Sequence, residues 1–97
     1  MLKKNKITNL LFKRRKKILF NCTHRGTKEL DILLGNFVSK HIDLLKSKEL
    51  NYLEIILSFN DIDLYKILIN KKKIDKKMNK LFVKKIIKFN QKFNNYI

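Results

Sequence analysis

Ninety-seven residues with a hydrophobic fraction of 44% allow one modest core and argue against disorder throughout. A single cysteine, Cys22, excludes an internal disulfide and fits a reducing compartment. Two separated histidines, His24 and His41, make a metal site improbable. The formal charge of +16 suits a polyanionic partner, but 21 of the 24 basic residues are lysines spread along the whole chain. Proline, alanine and tryptophan are absent, and Lys, Asn and Ile dominate, as A/T-rich coding DNA favours. Drift towards lysine on solvated faces therefore competes with selection for a polyanion.

In chain order, Met1 to Asn5 are expected to fray, and Met1 to Lys17 read as a mature bacterial N-terminus rather than a presequence, because serine and alanine are missing. From Lys6 to Thr23, Ile7, Leu11, Ile18 and Cys22 keep helical spacing, with Leu10, Leu19 and Phe20 widening the stripe. Arg14 to Lys17 interrupt that stripe, so the first half is expected to form a separate arm. The helix should stop at Gly26, a corner, since glycine reaches positive φ without a Cβ clash. Thr27 is then the expected N-cap of a second helix, with Glu29 and Asp31 at its positive end. On the residues alone, Arg25 and Glu29 form at most a solvated pair worth about 1 kcal/mol.

The second helix is expected over Lys28 to Leu45, with Leu30, Leu33, Leu34, Phe37, Val38 and Ile42 on one face. Gly35 inside it costs about 1 kcal/mol relative to alanine, which implies a close neighbour there. Ser47 is the expected N-cap of a third helix to Phe59, and Asp61 of a fourth to Asn70. Lys71 to Lys73 form a loop, and a fifth helix over 75–93 places Met78, Phe82, Ile86, Phe89 and Phe93 on one face. No segment alternates with the period of a strand, and no apolar run approaches the ~20 residues of a membrane span. The expectation is an all-α fold, a compact antiparallel bundle of about five short helices in a single domain spanning 1–97.

Chemistry of its own is poorly supported. Cys22 and His24 point to different sides of a helix, and no glycine-rich phosphate cradle is present. The lysine-coated last helix permits a basic module for nucleic acid or an anionic membrane. Its apolar face at core spacing favours packing on the bundle instead, and the motifs of sequence-specific nucleic-acid binders are missing.

Arg25-Gly26-x-x-Glu29, with Leu19 to His24 before it and Leu30 to Leu34 after it, resembles the signature of the FAD assembly factors of succinate dehydrogenase. A second stretch, Asn60-Asp61-Ile62-Asp63-Leu64-Tyr65-Lys66-Ile67-Leu68, resembles that family's Asp-x-Asp-Leu-aromatic segment. The resemblance covers roughly residues 16–70. It departs at Thr27, where many members carry Met, at Ile62, where proline is common, and at Ile67, where tryptophan is common. The family is small and helical, binds the flavoprotein subunit of succinate dehydrogenase (in some bacteria also of fumarate reductase), and promotes covalent attachment of FAD.

The resemblance implies that this chain is an assembly factor rather than an enzyme. It implies no bound cofactor, the FAD being the partner's, and a cytoplasmic monomer, or a mitochondrial-matrix protein if eukaryotic. The implied docking patch is a convex polar corner. There Gly26 allows close backbone approach, Arg25 donates a charged fork, and Glu29 accepts from the partner or holds Arg25. His24, Thr27 and Asp31 make secondary contacts.

Overall fold

The structure is a computed structural model that describes the backbone of residues 2–93 and the side chains of residues 10–93. Five α-helices follow one another: α1 (Leu2–Thr23), α2 (Lys28–His41), α3 (Ser47–Leu57), α4 (Asp61–Leu68) and α5 (Lys80–Lys92). A 3-10 turn, Ile42–Leu44, finishes the path of α2, so the expected continuation to Leu45 narrows into a tighter coil. Helix α1 packs on α2 and α3, while α2 also packs on α4 and α5 and is thus the central element. Among the described residues there is no strand, and no helix is long and apolar enough to cross a membrane.

The core follows the apolar spacing. Leu30, Leu34 and Val38 of α2, Leu50, Leu53 and Ile56 of α3, Leu64 and Leu68 of α4, and Val83 and Ile86 of α5 are fully buried in one cluster. Each such leucine or isoleucine contributes roughly 2–3 kcal/mol by leaving water. Gly35 has the close neighbour its cost implied: a Cβ there would lie 2.9 Å from the Cγ2 of Thr23.

Helix α1 is continuous from Leu2 through the arginines, with no break between its two halves; Met1 lies outside the described residues, as does the side chain of Ile7. Arginines that break an apolar stripe need not break a helix when each finds an acceptor. Arg14 donates to Asn51 and, at 2.8 Å, to Glu54, both on α3; Arg15 donates to the Leu45 carbonyl at 2.7 Å. Of the residues expected to widen the stripe, Leu19 is half-buried, but Leu10 and Phe20 are exposed.

Three boundaries shift where two residues compete for one cap. Lys46, not Ser47, holds the cap position of α3, and the Glu49 carboxylate accepts from the Lys46 N–H at 3.1 Å. Asn60 rather than Asp61 caps α4, its Oδ1 accepting from the Asp63 N–H at 2.9 Å. Asn79 rather than Asp75 opens α5, accepting from the Phe82 N–H at 2.9 Å, while Asp75 forms a turn of its own through the Lys77 N–H.

Helix α4 ends in a Schellman closure at Asn70, whose φ is 63°: the Lys71 N–H donates to the Lys66 carbonyl and the Asn70 N–H to that of Ile67. On α5 the buried face is rotated from the expected one towards Val83, Ile87 and Asn90. Phe89 is left half-buried and Phe93 47% exposed at its edge. Asn90 is buried because its Nδ2 donates to the Leu33 and Ile86 carbonyls, each at 3.0 Å, pinning α5 to α2.

Candidate partner-docking site

The corner between α1 and α2 is built by its own residues. Gly26 has φ of 100°, a conformation L side chains rarely adopt, and nothing lies within 4 Å of where its Cβ would be. Glycine is required here by the backbone angle and not by crowding. The Thr27 Oγ1 accepts from the Leu30 N–H, and the Asp31 carboxylate reaches back to accept from the Arg25 N–H at 2.8 Å. Thr27 and Asp31 therefore close the turn from both ends, which fixes the direction in which α2 leaves α1.

Arg25 departs most from expectation. Its guanidinium is turned inward and its side chain is only 13% exposed. One terminal nitrogen donates to the Leu57 carbonyl and the other to the Phe59 carbonyl, each at 2.6 Å, while Nε donates to Asp61 at 3.0 Å. The expected pairing of Arg25 with Glu29 is replaced by a pairing with Asp61, at 2.8 Å.

The reason is electrostatic. Leu57 ends α3 and Phe59 follows it, so their carbonyls form the negative end of a helix, and Asp61 opens the next. A planar fork with several donors can serve all three acceptors at once. Because Asn60 takes the cap of α4, the Asp61 carboxylate is left free for this role.

Glu29, in the first turn of α2, is exposed and forms no hydrogen bond or ion pair with the described residues. His24 is exposed too, but its ring stacks on Phe20 at 3.9 Å between centroids, and its Nδ1 lies 2.9 Å from the Phe20 carbonyl and 2.9 Å from the Thr23 Oγ1. Cys22, just inside the corner, is fully buried, and burial pushes its thiol up to about 12, against a weaker opposing pull from Arg25. It is an inert core residue.

The surface beside Glu29 is concave rather than purely convex. A groove of about 310 Å³ runs between the N-termini of α2 and α4, lined by Thr27, Glu29, Asp61, Ile62, Tyr65 and Lys66. Of the six residues expected at the docking patch, Gly26 and Glu29 are open to a partner, Thr27 lines the groove, and His24 is exposed but packed on Phe20 of α1. Arg25 and Asp31 are spent on holding the corner. Asp61, Ile62, Tyr65 and Lys66 of α4 complete the groove and are not among those six, although the Asp61–Tyr65 stretch belongs to the segment that resembles the family's.

A family model described as the flavinator of succinate dehydrogenase matches residues 16–90, which takes in the corner, the groove and most of α5. The chain belongs to this family. The FAD assembly factor SdhE of Wigglesworthia glossinidia brevipalpis is 40% identical over 77 residues, covering 78% of this chain and 88% of that protein. The FAD assembly factor SdhE of Acetobacter pasteurianus is 43% identical over 51 residues, 53% of this chain and 47% of that protein. No solved structure matches. Within the family frame, Arg25-Gly26-x-x-Glu29 is a motif whose two charged members have opposite fates, one holding the fold and one facing outward.

Proposed function

We propose that this protein is an assembly factor that binds the flavoprotein subunit of succinate dehydrogenase and promotes covalent attachment of FAD to it, with the α1–α2 corner as its docking site. The family supports this role over that of a general basic module. The observation that carries the site is the contrast at the corner: Glu29 is an exposed carboxylate without a partner among the described residues, held by a turn in which Arg25, Thr27 and Asp31 are already hydrogen-bonded.

The turn fixes the backbone that carries this carboxylate, so the entropy lost when a partner's donor meets it is confined to the Glu29 side chain. The open backbone at Gly26 lets that donor's surface come close, and the adjoining groove between α2 and α4 accepts an apolar side chain against Ile62 and Tyr65.

The bond-forming chemistry stays with the partner, whose flavin and acceptor side chain react. The assembly factor favours the partner conformation in which the two are aligned, a population shift that shortens the search for a reactive geometry. Arg25 is a positioning residue in this scheme: it orients the groove by tying the end of α3 to the start of α4.

The test is the covalent flavin fluorescence of the flavoprotein subunit on a denaturing gel, in cells lacking any other such factor. The wild-type chain is expected to restore the band. Glu29→Ala and Gly26→Arg are expected to leave it at the level seen without the protein, with helical circular dichroism unchanged. Full fluorescence with Glu29→Ala would remove the corner from the docking site.

A further inference from the structure

The exposed stripe of α2 does not end at the corner. Asn36 and Lys40 each fall within about 20° of Glu29 around the helix, on either side of it, so one face runs about 16 Å from the corner towards the C-terminal end of α2. At that end it meets α5, and the surface changes character. Phe89 forms a ridge: it packs edge-on against Phe37 with centroids 5.5 Å apart and against His41 at 5.4 Å, and leans on Phe93 at 4.8 Å.

Two shallow depressions flank this ridge. One, of about 410 Å³, has Phe37, Phe82 and Phe89 in its walls and Lys85, Lys88 and Lys92 on its rim; the other, of about 430 Å³, lies between Asn36, Lys40 and Phe93. The Lys40 ammonium stands 4.9 Å from the centre of the Phe93 ring. The four lysines are exposed, and none of them forms an ion pair with the described residues. Glu49 is the one carboxylate lining either depression, and it is occupied by the Lys46 N–H.

We propose that this aromatic ridge is a second docking surface, and that its occupant is an acidic segment of the same flavoprotein subunit, carrying an apolar side chain that seats beside Phe89. This rests on the docking reading given above. Three observations select that occupant. The four lysines outweigh the single carboxylate, Glu49, so the rim is net positive and attracts negative charge. The depressions are concave and aromatic-walled, a shape that takes a side chain and that a flat bilayer surface does not fill. And the surface is continuous with the corner along a single rigid helix, so a partner seated at Glu29 reaches Lys40 without any change in this protein.

Charge on such a rim acts mainly on encounter and salt dependence, while the apolar seat sets residence time. The two surfaces on α2 therefore divide the work. The lysines draw the partner in and set its direction, and the corner makes the contact that flavin attachment requires.

The experiment measures binding of the purified flavoprotein subunit to the full chain by calorimetry at low and high salt. Four proteins are compared: wild type, the triple variant Lys85→Glu/Lys88→Glu/Lys92→Glu, a charge-matched triple variant Lys76→Glu/Lys80→Glu/Lys84→Glu, and Glu29→Ala. Lys76, Lys80 and Lys84 line a different depression, at the N-terminal end of α5 and in the segment before it.

The ridge variant is expected to bind about tenfold or more weakly at low salt and to lose most of its salt dependence. The matched variant is expected to change binding by no more than about threefold. If both triple variants weaken binding equally, the effect is net charge and the ridge is not a site. If the ridge variant binds like wild type while Glu29→Ala does not, the second surface is refuted and the corner stands. If Glu29→Ala also binds like wild type and supports full flavin attachment, the docking reading itself fails. Loss of binding to anionic vesicles or RNA by the ridge variant, with binding to the flavoprotein unchanged, would assign the lysines to another polyanion and overturn the proposal.

Discussion

The corner and the α5 face are both rich in charge, and they handle it in opposite ways. At the corner Arg25, Asp31 and Asp61 each have a partner fixed by geometry, with Lys28 and Glu29 left in solvent: Arg25 is shared between two carbonyls and Asp61, and Asp31 holds a backbone N–H. On α5 the lysines at 80, 84, 85, 88 and 92 have no acidic neighbour on their own helix and make no ion pair with the described residues. The first region is ordered by particular hydrogen bonds, so single substitutions should matter and salt should not. The second is a field, so its behaviour should depend on charge number and on ionic strength.

The sharpest way to break this contrast is Arg25→Ala. It leaves the Leu57 and Phe59 carbonyls and the Asp61 carboxylate without their donor in a site where the guanidinium was almost out of solvent. Removing one partner of such a network is expected to cost about 3 kcal/mol, a fall in melting temperature on the order of 15 °C for a chain of this size. Arg25→Lys should recover only part of this, because a point charge on a flexible stem cannot serve three acceptors in fork geometry. Urea unfolding at low and at high salt checks both the size of the loss and its insensitivity to salt. A loss under about 1 kcal/mol would mean that Arg25 is a surface group after all and would return it to the docking patch.

That outcome also measures what the sequence made legible. The number of helices and the buried leucines of α2, α3 and α4 were plain in the 3–4 spacing, because a stripe of that period has one place to go. The corner was plain as well, since Gly26, Thr27, Glu29 and Asp31 act within a few residues of one another. The role of Arg25 was not, because its acceptors lie on the far side of α2 and α3 in the chain, and local chemistry offered Glu29 as the nearer partner. The starts of α4 and α5 were displaced for a related reason. Asn60 and Asp61 are both good caps, as are Asp75 and Asn79, and the choice was made by tertiary contacts: Asp61 was needed by Arg25, and α5 turned to bury Val83, Ile87 and Asn90.

A middle-sized effect is expected at Gly35, which sits where α2 crosses the end of α1. Alanine there gains about 1 kcal/mol of helix propensity but places a Cβ 2.9 Å from the Cγ2 of Thr23. Thr23 cannot rotate away cheaply, because its hydroxyl donates to the Leu19 carbonyl at 3.0 Å or to that of Phe20 at 3.2 Å. Overpacking of this kind costs about 1–3 kcal/mol, so Gly35→Ala should destabilise by about 1 kcal/mol net. In a Thr23→Ser background the obstructing methyl is gone and the next atoms are at ordinary distances of 3.7 and 3.8 Å. There the same change should stabilise. A double-mutant cycle in thermal unfolding reads the sign reversal, and additivity would show that the two helices are not in contact as described.

The smallest effect, and the one of opposite sign, is expected on α5. Lys88 has like charges at i−4, i−3 and i+4, namely Lys84, Lys85 and Lys92, and each such pair opposes folding by about 0.2–0.5 kcal/mol at low salt. The attraction of the helix dipole for a lysine is confined to the last turn and is of similar size to one of these repulsions. Lys88→Gln should therefore stabilise the chain by about 0.5 kcal/mol at low salt, and the gain should vanish near molar salt, where the Debye length is about 3 Å. A lysine whose removal strengthens the fold is kept at the expense of stability, as expected of a surface that waits for negative charge from elsewhere. If Lys88→Gln instead weakened the fold at low salt, Lys88 would have a partner within this chain. The α5 face would then resemble the corner, and the case for an acidic segment seated beside Phe89 would lose its electrostatic half.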